Sequence, residues 1–99
     1  MIKVLLEDFE KSIGKVVLDK NSMSYSLVSL LGKNALIQVV ATNGITKGFE
    51  VWKIRIRPLN SKAPGHVWFP SNEDFGKYGW YYPNKEQALC KFKELTTNE

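Results

Sequence analysis

The sequence predicts a single α+β domain spanning residues 1–99, with one antiparallel sheet of about four to five strands and a helix at each end. Apolar residues recur at helical spacing near both termini, and β-prone runs separated by turn residues fill the middle. The Asn43-Gly44 pair between two such runs is typical of a tight β-hairpin. We expect both helices to pack on one face of the sheet.

The N-terminal segment 2–13 is predicted to be a helix. Its apolar side chains fall on one stripe at helical spacing: Ile2, Leu5, Leu6, Phe9 and Ile13. Gly14 is expected to cap its C-terminus.

Strands are predicted over six short runs: 15–19, 23–31, 35–41, 48–58, 66–69 and 79–82. Segment 23–31 also fits helical spacing, although its alternation with serines favours a strand. In segment 48–58, one face carries Trp52, Ile54 and Ile56, and the other carries Lys53, Arg55 and Arg57.

The C-terminal helix is predicted over residues 85–95, after Pro83 and the capping residue Asn84. Its buried stripe is expected to be Ala88, Leu89, Phe92 and Leu95, with Cys90 exposed and the last four residues frayed.

Composition limits the class of protein. Fourteen Lys and Arg against ten Asp and Glu give a net charge of +4, which favours solubility and, more weakly, an anionic partner. One cysteine excludes an internal disulfide, and no apolar run is long enough for a signal peptide or a membrane span. We therefore expect a cytoplasmic protein.

Catalytic chemistry has little support in the sequence. A small metal-dependent nuclease would enlist His66, Glu73 and Asp74. Ser71 and Asp74, however, have the spacing of a capping box for a short helical turn, which explains the acids better. No cofactor or metal motif is present, and we predict no cofactor.

Nucleic-acid binding has more support. On a strand, Lys53, Arg55 and Arg57 would stand in a row about 7 Å apart, close to the spacing of phosphates. Aromatic residues such as Trp68 could stack on bases. The same pattern is also typical of a strand whose outer face is simply solvated.

The aromatic stretch 69–83 is expected to form a strand–turn–strand corner in which Phe69 and Trp80 are buried. Rings beyond the capacity of one small core should reach the surface. Tyr78, Tyr81 and Tyr82 are the candidates for anchoring a partner.

Residues Gly48 to Phe92 resemble small uncharacterised proteins of phages and mobile elements of Bacteroidetes. The resemblance lies in GFEVWKIRIR, in PSNEDFGKYGWYY and in the helix ending in KF. It implies no activity or site residue, but it implies a context in which small basic proteins disable host machinery, as anti-CRISPR proteins do with RNA-guided nucleases.

From these observations we expect a non-enzymatic binding protein that inhibits or modulates a host nucleoprotein, such as an RNA-guided nuclease. Its anionic contacts would come from the three cations of the strand and its anchors from the three tyrosines. A direct single-stranded RNA- or DNA-binding module is the first alternative. A nuclease-like enzyme or a structural phage component is the second.

Overall fold

The structure is a computed structural model that describes residues 5–62 and 64–97. The elements, in chain order, are α1 Leu6–Glu10, β1 Val16–Lys20, β2 Met23–Leu31, β3 Asn34–Ala41, β4 Thr46–Lys53, β5 Arg55–Ile56, β6 Val67–Trp68, a 3₁₀ turn Asn72–Asp74, β7 Gly79–Tyr82 and α2 Lys85–Thr97. The structure confirms an α+β fold with a five-stranded antiparallel sheet in the order β1-β2-β3-β4-β7. A second, two-stranded sheet is formed by β5 and β6.

Tight turns connect the first four strands into a meander. Segment 23–31 is a strand that pairs with β1 on one side and β3 on the other. The predicted hairpin between β3 and β4 is confirmed, with Gly44 at a positive φ of 86° that favours glycine. Asn21 and Ser22 also adopt positive φ in the two-residue turn between β1 and β2.

The two helices lie on opposite faces of the main sheet, so the expectation that they share one face is wrong. Helix α2 packs through Ala88 and Phe92 against Leu36 and Val51. The other face is covered by Phe9 of α1 and by the small sheet. Both faces need cover because consecutive residues of β3, Ala35, Leu36 and Ile37, are apolar and fully buried.

The N-terminal helix is shorter than predicted. It ends at Glu10 with Lys11 as its C-cap rather than Gly14, and residues 2–4 lie outside the described part of the chain. Phe9 is fully buried as expected, but Ile13 is 55% exposed. The chain leaves the helix because Gly14 N–H donates to the Leu27 carbonyl, 2.7 Å away, which fastens this turn to β2.

Segment 48–58 is divided between the two sheets rather than forming one strand. The break falls at Ile54, whose N–H donates to the carbonyl of Lys33 at 2.6 Å. Trp52, Ile54 and Ile56 all contribute to one core cluster, as their alternation predicts. The break separates Lys53, in the main sheet, from Arg55 in the small sheet.

Helix α2 confirms the C-terminal prediction. Asn84 Oδ1 accepts the N–H of Gln87 at 3.0 Å, which caps the helix. The predicted stripe faces the sheet, with Leu89 and Leu95 packed beside Ala88 and Phe92. Cys90 is exposed, as expected. The helix continues to Thr97 rather than ending at residue 95, and residues 98–99 of the predicted frayed end lie outside the described part.

Candidate functional site

Three cations and two aromatic rings alternate across the small sheet and the turn before β7. We call this group the cation–aromatic ladder: Arg57, Trp68, Arg55, Tyr78 and Lys77. The Arg55 guanidinium carbon lies 4.3 Å from the Trp68 ring centroid and 3.9 Å from that of Tyr78. Arg57 lies 5.2 Å from Trp68, and Lys77 Nζ lies 5.2 Å from Tyr78. All four contacts are within the range of cation–π attraction.

The small sheet positions one end of the ladder. Arg55 is paired with Trp68, so their side chains project from the same face of the hairpin. The neighbouring pair, Ile56 with Val67, projects from the other face, and Val67 is buried in the core. The Arg57 N–H donates to the His66 carbonyl at 2.9 Å, which continues the pairing beyond the strand ends.

The turn before β7 positions the other end. Tyr78 N–H donates to the Asp74 carbonyl at 2.8 Å, and the Tyr78 carbonyl accepts the N–H of Lys53 at 2.8 Å. These two bonds hold Tyr78 between the 3₁₀ turn and the end of β4. The ladder is therefore built by two separate backbone units that meet at Arg55.

Asp74 joins these two units. Its Oδ2 accepts the Ser71 N–H at 2.9 Å, the Ser71 hydroxyl at 3.1 Å and Arg55 Nη2 at 2.9 Å. The Ser71 backbone hydrogen bond, with smaller contributions from the Ser71 hydroxyl and the Arg55 charge, lowers the pKa of Asp74 below its usual value. The predicted capping role of Ser71 and Asp74 is confirmed, and the same carboxylate also orients Arg55.

The structure gives the predicted binding residues different positions. It brings Arg55, Arg57 and Tyr78 together in the ladder. Lys53 is exposed but lies in the other sheet, so the three cations do not form one regular row. Arg55 is covered by rings and a carboxylate, with only 21% of its side chain exposed.

The remaining two tyrosines stand apart from the ladder. Tyr81 is 49% exposed, and its hydroxyl donates to the Lys47 carbonyl at 2.6 Å. Tyr82 lies half-buried in the cluster beneath α2, where burial, with a smaller effect of Glu94, raises its pKa. Tyr82 therefore has a packing role, while Tyr81 remains accessible on a different part of the surface.

Two ladder members were not among the predicted binding set. The sequence offers Trp68 only as one of several rings that could stack on bases, and it offers no pattern that marks Lys77 as a binding residue. Alternation along segment 66–69 could have indicated Trp68, because neighbouring residues of a strand point to opposite faces. Val67 is buried and Trp68 is 37% exposed. Lys77 follows Gly76 in a turn, and its proximity to Tyr78 has no periodic signature in the sequence.

In the described part of the chain, the residues of the nuclease hypothesis do not form a metal-binding cluster. Glu73 is exposed, and Asp74 is engaged by three donors. The His66 Nδ1 lies 3.3 Å from the Pro64 carbonyl, at the edge of the hairpin. Within residues 5–62 and 64–97, no three His, Cys, Asp or Glu side chains come together as a metal site.

A comparison of this chain with protein-family models, curated proteins and solved structures finds no match. In the part of the chain that the structure describes, no helix has the length and apolar character needed to cross a membrane.

Proposed function

We propose that this protein is a non-enzymatic binding protein that attaches to a nucleoprotein, and that the cation–aromatic ladder contacts nucleic acid exposed on that partner. The observation that carries the proposal is the ladder itself, in which Arg55 and Arg57 lie against Trp68, a ring that is 37% exposed, and Lys77 lies against Tyr78. Cations contact phosphates and exposed rings stack on bases, and single-strand binding surfaces combine the two.

Arg55, the central cation of the ladder, is ordered before any partner arrives. Arg55 is fixed between two rings and a carboxylate, so its rotamer freedom is already lost in the folded protein. Ordering a long side chain on binding costs about 0.5–1.5 kcal/mol, and a surface ordered in advance avoids that cost. This favours a recognition role over that of a merely solvated strand face.

Charge indicates which part of a nucleoprotein the ladder meets. The chain has a net charge of +4, and three of its cations belong to the ladder, where Arg55 pairs with the carboxylate of Asp74. Such a surface is complementary to phosphates and repelled by a basic protein channel. We therefore place the contact on the nucleic-acid component of the partner. An RNA-guided nuclease, the partner class implied by the resemblance to mobile-element proteins, exposes nucleic acid in this way.

Capture from a Bacteroidetes lysate tests the nucleoprotein claim. The bait would be the tagged wild type, the ladder variant R55Q/R57Q/K77Q, and a control, K15Q/K33Q/K47Q, in exposed lysines outside the ladder. Each triple variant removes three positive charges, so the net charge falls from +4 to +1 in both.

We expect the wild type and the control to recover RNA or DNA together with the protein bound to it, and the ladder variant to recover much less of that nucleic acid. Nuclease treatment of the lysate should remove the protein that is held only through the nucleic acid. Equal recovery of nucleic acid by the ladder variant and the control would contradict the proposal. Circular dichroism of each bait confirms that it is folded.

A further inference from the structure

A groove runs between the edge strand β1 and the small sheet, with a volume of about 320 Å³. Its floor is apolar and includes Leu18, Val67, Phe69 and Pro70. Lys20 and Arg57 supply two cations to its lining. The groove lies beside the ladder and shares only Arg57 with it.

Strand β1 has an open edge along this groove. It pairs only with β2, and within the described residues no backbone hydrogen bond joins it to another segment on its outer side. Lys20 and Met23 flank the two-residue turn and form a hydrogen-bonded pair, as such hairpins require. Hydrogen-bonded and non-hydrogen-bonded pairs alternate along two antiparallel strands. The next pair, Asp19 with Ser24, is therefore non-hydrogen-bonded, and the N–H and C=O of Asp19 point outward from the sheet.

Among macromolecules, a polypeptide in extended conformation matches the outward N–H and C=O of Asp19, whereas nucleic acid offers no alternating N–H and C=O groups. The apolar floor would hold one or more side chains of such a strand. Among the described residues that line the groove, one carboxylate, that of Asp19, stands against two cations, and it accepts a hydrogen bond from the Ser24 hydroxyl at 2.7 Å. The two cations therefore favour an acidic residue in the bound segment.

We propose that this groove binds an extended acidic peptide segment of a partner protein, which adds as a strand to β1. The peptide backbone pairs with Asp19, an apolar side chain enters the floor formed by Leu18, Val67 and Phe69, and an acidic side chain meets Lys20 or Arg57. A second copy of this chain is a poorer occupant, since a short edge that carries charged residues disfavours self-pairing.

This inference goes beyond the proposed function and does not depend on it. Arg55, Tyr78 and Lys77 do not line the groove, so peptide binding should survive when the ladder is disabled. If both proposals hold, the ladder contacts the nucleic acid of a nucleoprotein and the groove contacts its protein.

Selection from a random-peptide display library on the purified protein provides a defined probe. We expect the enriched peptides to alternate apolar residues and to contain at least one acid. An enriched peptide would then be synthesised in two forms, one N-methylated at its odd-numbered residues and the other at its even-numbered residues. Only one of the two forms then loses the backbone N–H groups that face β1. Fluorescence anisotropy should show at least about tenfold weaker binding for that form alone, because N-methylation removes the N–H groups that would donate to β1.

Substitutions in the protein provide the matching evidence. D19P removes the outward N–H where an edge strand tolerates proline, and it should weaken peptide binding, whereas D19N keeps that N–H and should not. R55Q/K77Q should bind the peptide as the wild type does. The proposal is overturned if no peptide is enriched or if both N-methylated forms bind equally. It is also overturned if the protein is a dimer that D19P dissociates.

Discussion

Arg55 and Asp74 are joined by a 2.9 Å hydrogen bond between Nη2 and Oδ2, although nineteen residues separate them in the chain. This bond connects the small sheet to the capped turn of the aromatic stretch. Since Asp74 also accepts both donors of Ser71, one oxygen atom fixes the turn and orients the central cation of the ladder.

Replacement of Asp74 by alanine should therefore weaken both structures. We expect D74A to lower the midpoint of urea unfolding, because the turn loses its cap and Arg55 loses its carboxylate. The matched control is E73A, which removes the same charge from an exposed neighbour. Equal shifts in the two variants would show that Asp74 acts only through its charge.

Glu50 should give the unfolding equilibrium a distinct pH dependence. It is buried beside Tyr25 and accepts the Trp52 indole N–H at 2.7 Å. Burial raises its pKa, which the Trp52 hydrogen bond and the charge of Lys20 only partly offset. The folded state therefore binds the Glu50 proton more tightly than the unfolded state does.

The sign of the effect follows from that difference. The contribution of Glu50 is most favourable below its ordinary pKa of 4.5 and is lost as the pH rises through its raised folded-state value. The free energy of unfolding of E50Q, which still accepts the Trp52 bond, should lack this decline. Asp74, whose pKa is lowered, contributes in the opposite sense and only near and below 3.8. Urea titrations of the wild type and of E50Q, repeated at a series of pH values, give the free energy of unfolding as a function of pH. The same pH dependence in the two proteins would refute the assignment to Glu50.

Gly48 and Tyr81 should be energetically coupled. A Cβ at Gly48 would lie 2.5 Å from the Tyr81 hydroxyl oxygen and 2.7 Å from its Cζ, so G48A must displace the ring. Loss of the hydroxyl bond to Lys47 and of the ring packing should cost about 1 kcal/mol of unfolding free energy.

A double-mutant cycle checks this coupling. In the Y81A background, G48A should be neutral or stabilise by up to about 0.5–1 kcal/mol, because alanine replaces glycine inside a strand. Additive effects of the two substitutions would show that the ring does not rest on Gly48.

Asn34 is expected to be a cost to stability. Its side chain is fully buried, and within the described residues neither Nδ2 nor Oδ1 has a hydrogen-bond partner. A buried polar group without a partner costs about 1–3 kcal/mol. N34L should therefore raise the unfolding free energy by about that amount, whereas N60L, at an exposed turn residue, should not. A loss of stability in N34L would mean that the Asn34 amide is needed.

Much of the fold follows from local sequence signals. The Asn43-Gly44 turn, the alternation in segment 23–31 and the Asn84 cap each act over a few residues, and all three predictions are confirmed. The end of the first helix depends instead on a backbone bond from Gly14 to Leu27, a contact in β2 that spacing cannot reveal.

The candidate site was only partly predictable, because its geometry depends on the break at Ile54. A regular row of Lys53, Arg55 and Arg57 requires one continuous strand. The strand breaks at Ile54, whose N–H bonds to the carbonyl of Lys33, and the two arginines therefore lie with the small sheet. That change brings Arg55 against Trp68 and Tyr78. Contacts between residues so far apart in sequence have no periodic pattern from which they could be predicted.

The central claim, that the cation–aromatic ladder contacts nucleic acid, is tested most directly by fluorescence anisotropy with a labelled single-stranded RNA of about twenty nucleotides. The proteins are the wild type, R55Q/R57Q/K77Q and the charge-matched K15Q/K33Q/K47Q, each measured over a series of salt concentrations. We predict that the ladder variant binds at least about tenfold more weakly than the control, with a slope of log affinity against log salt reduced by about 2. Equal affinities and slopes for the two triple variants would contradict the account.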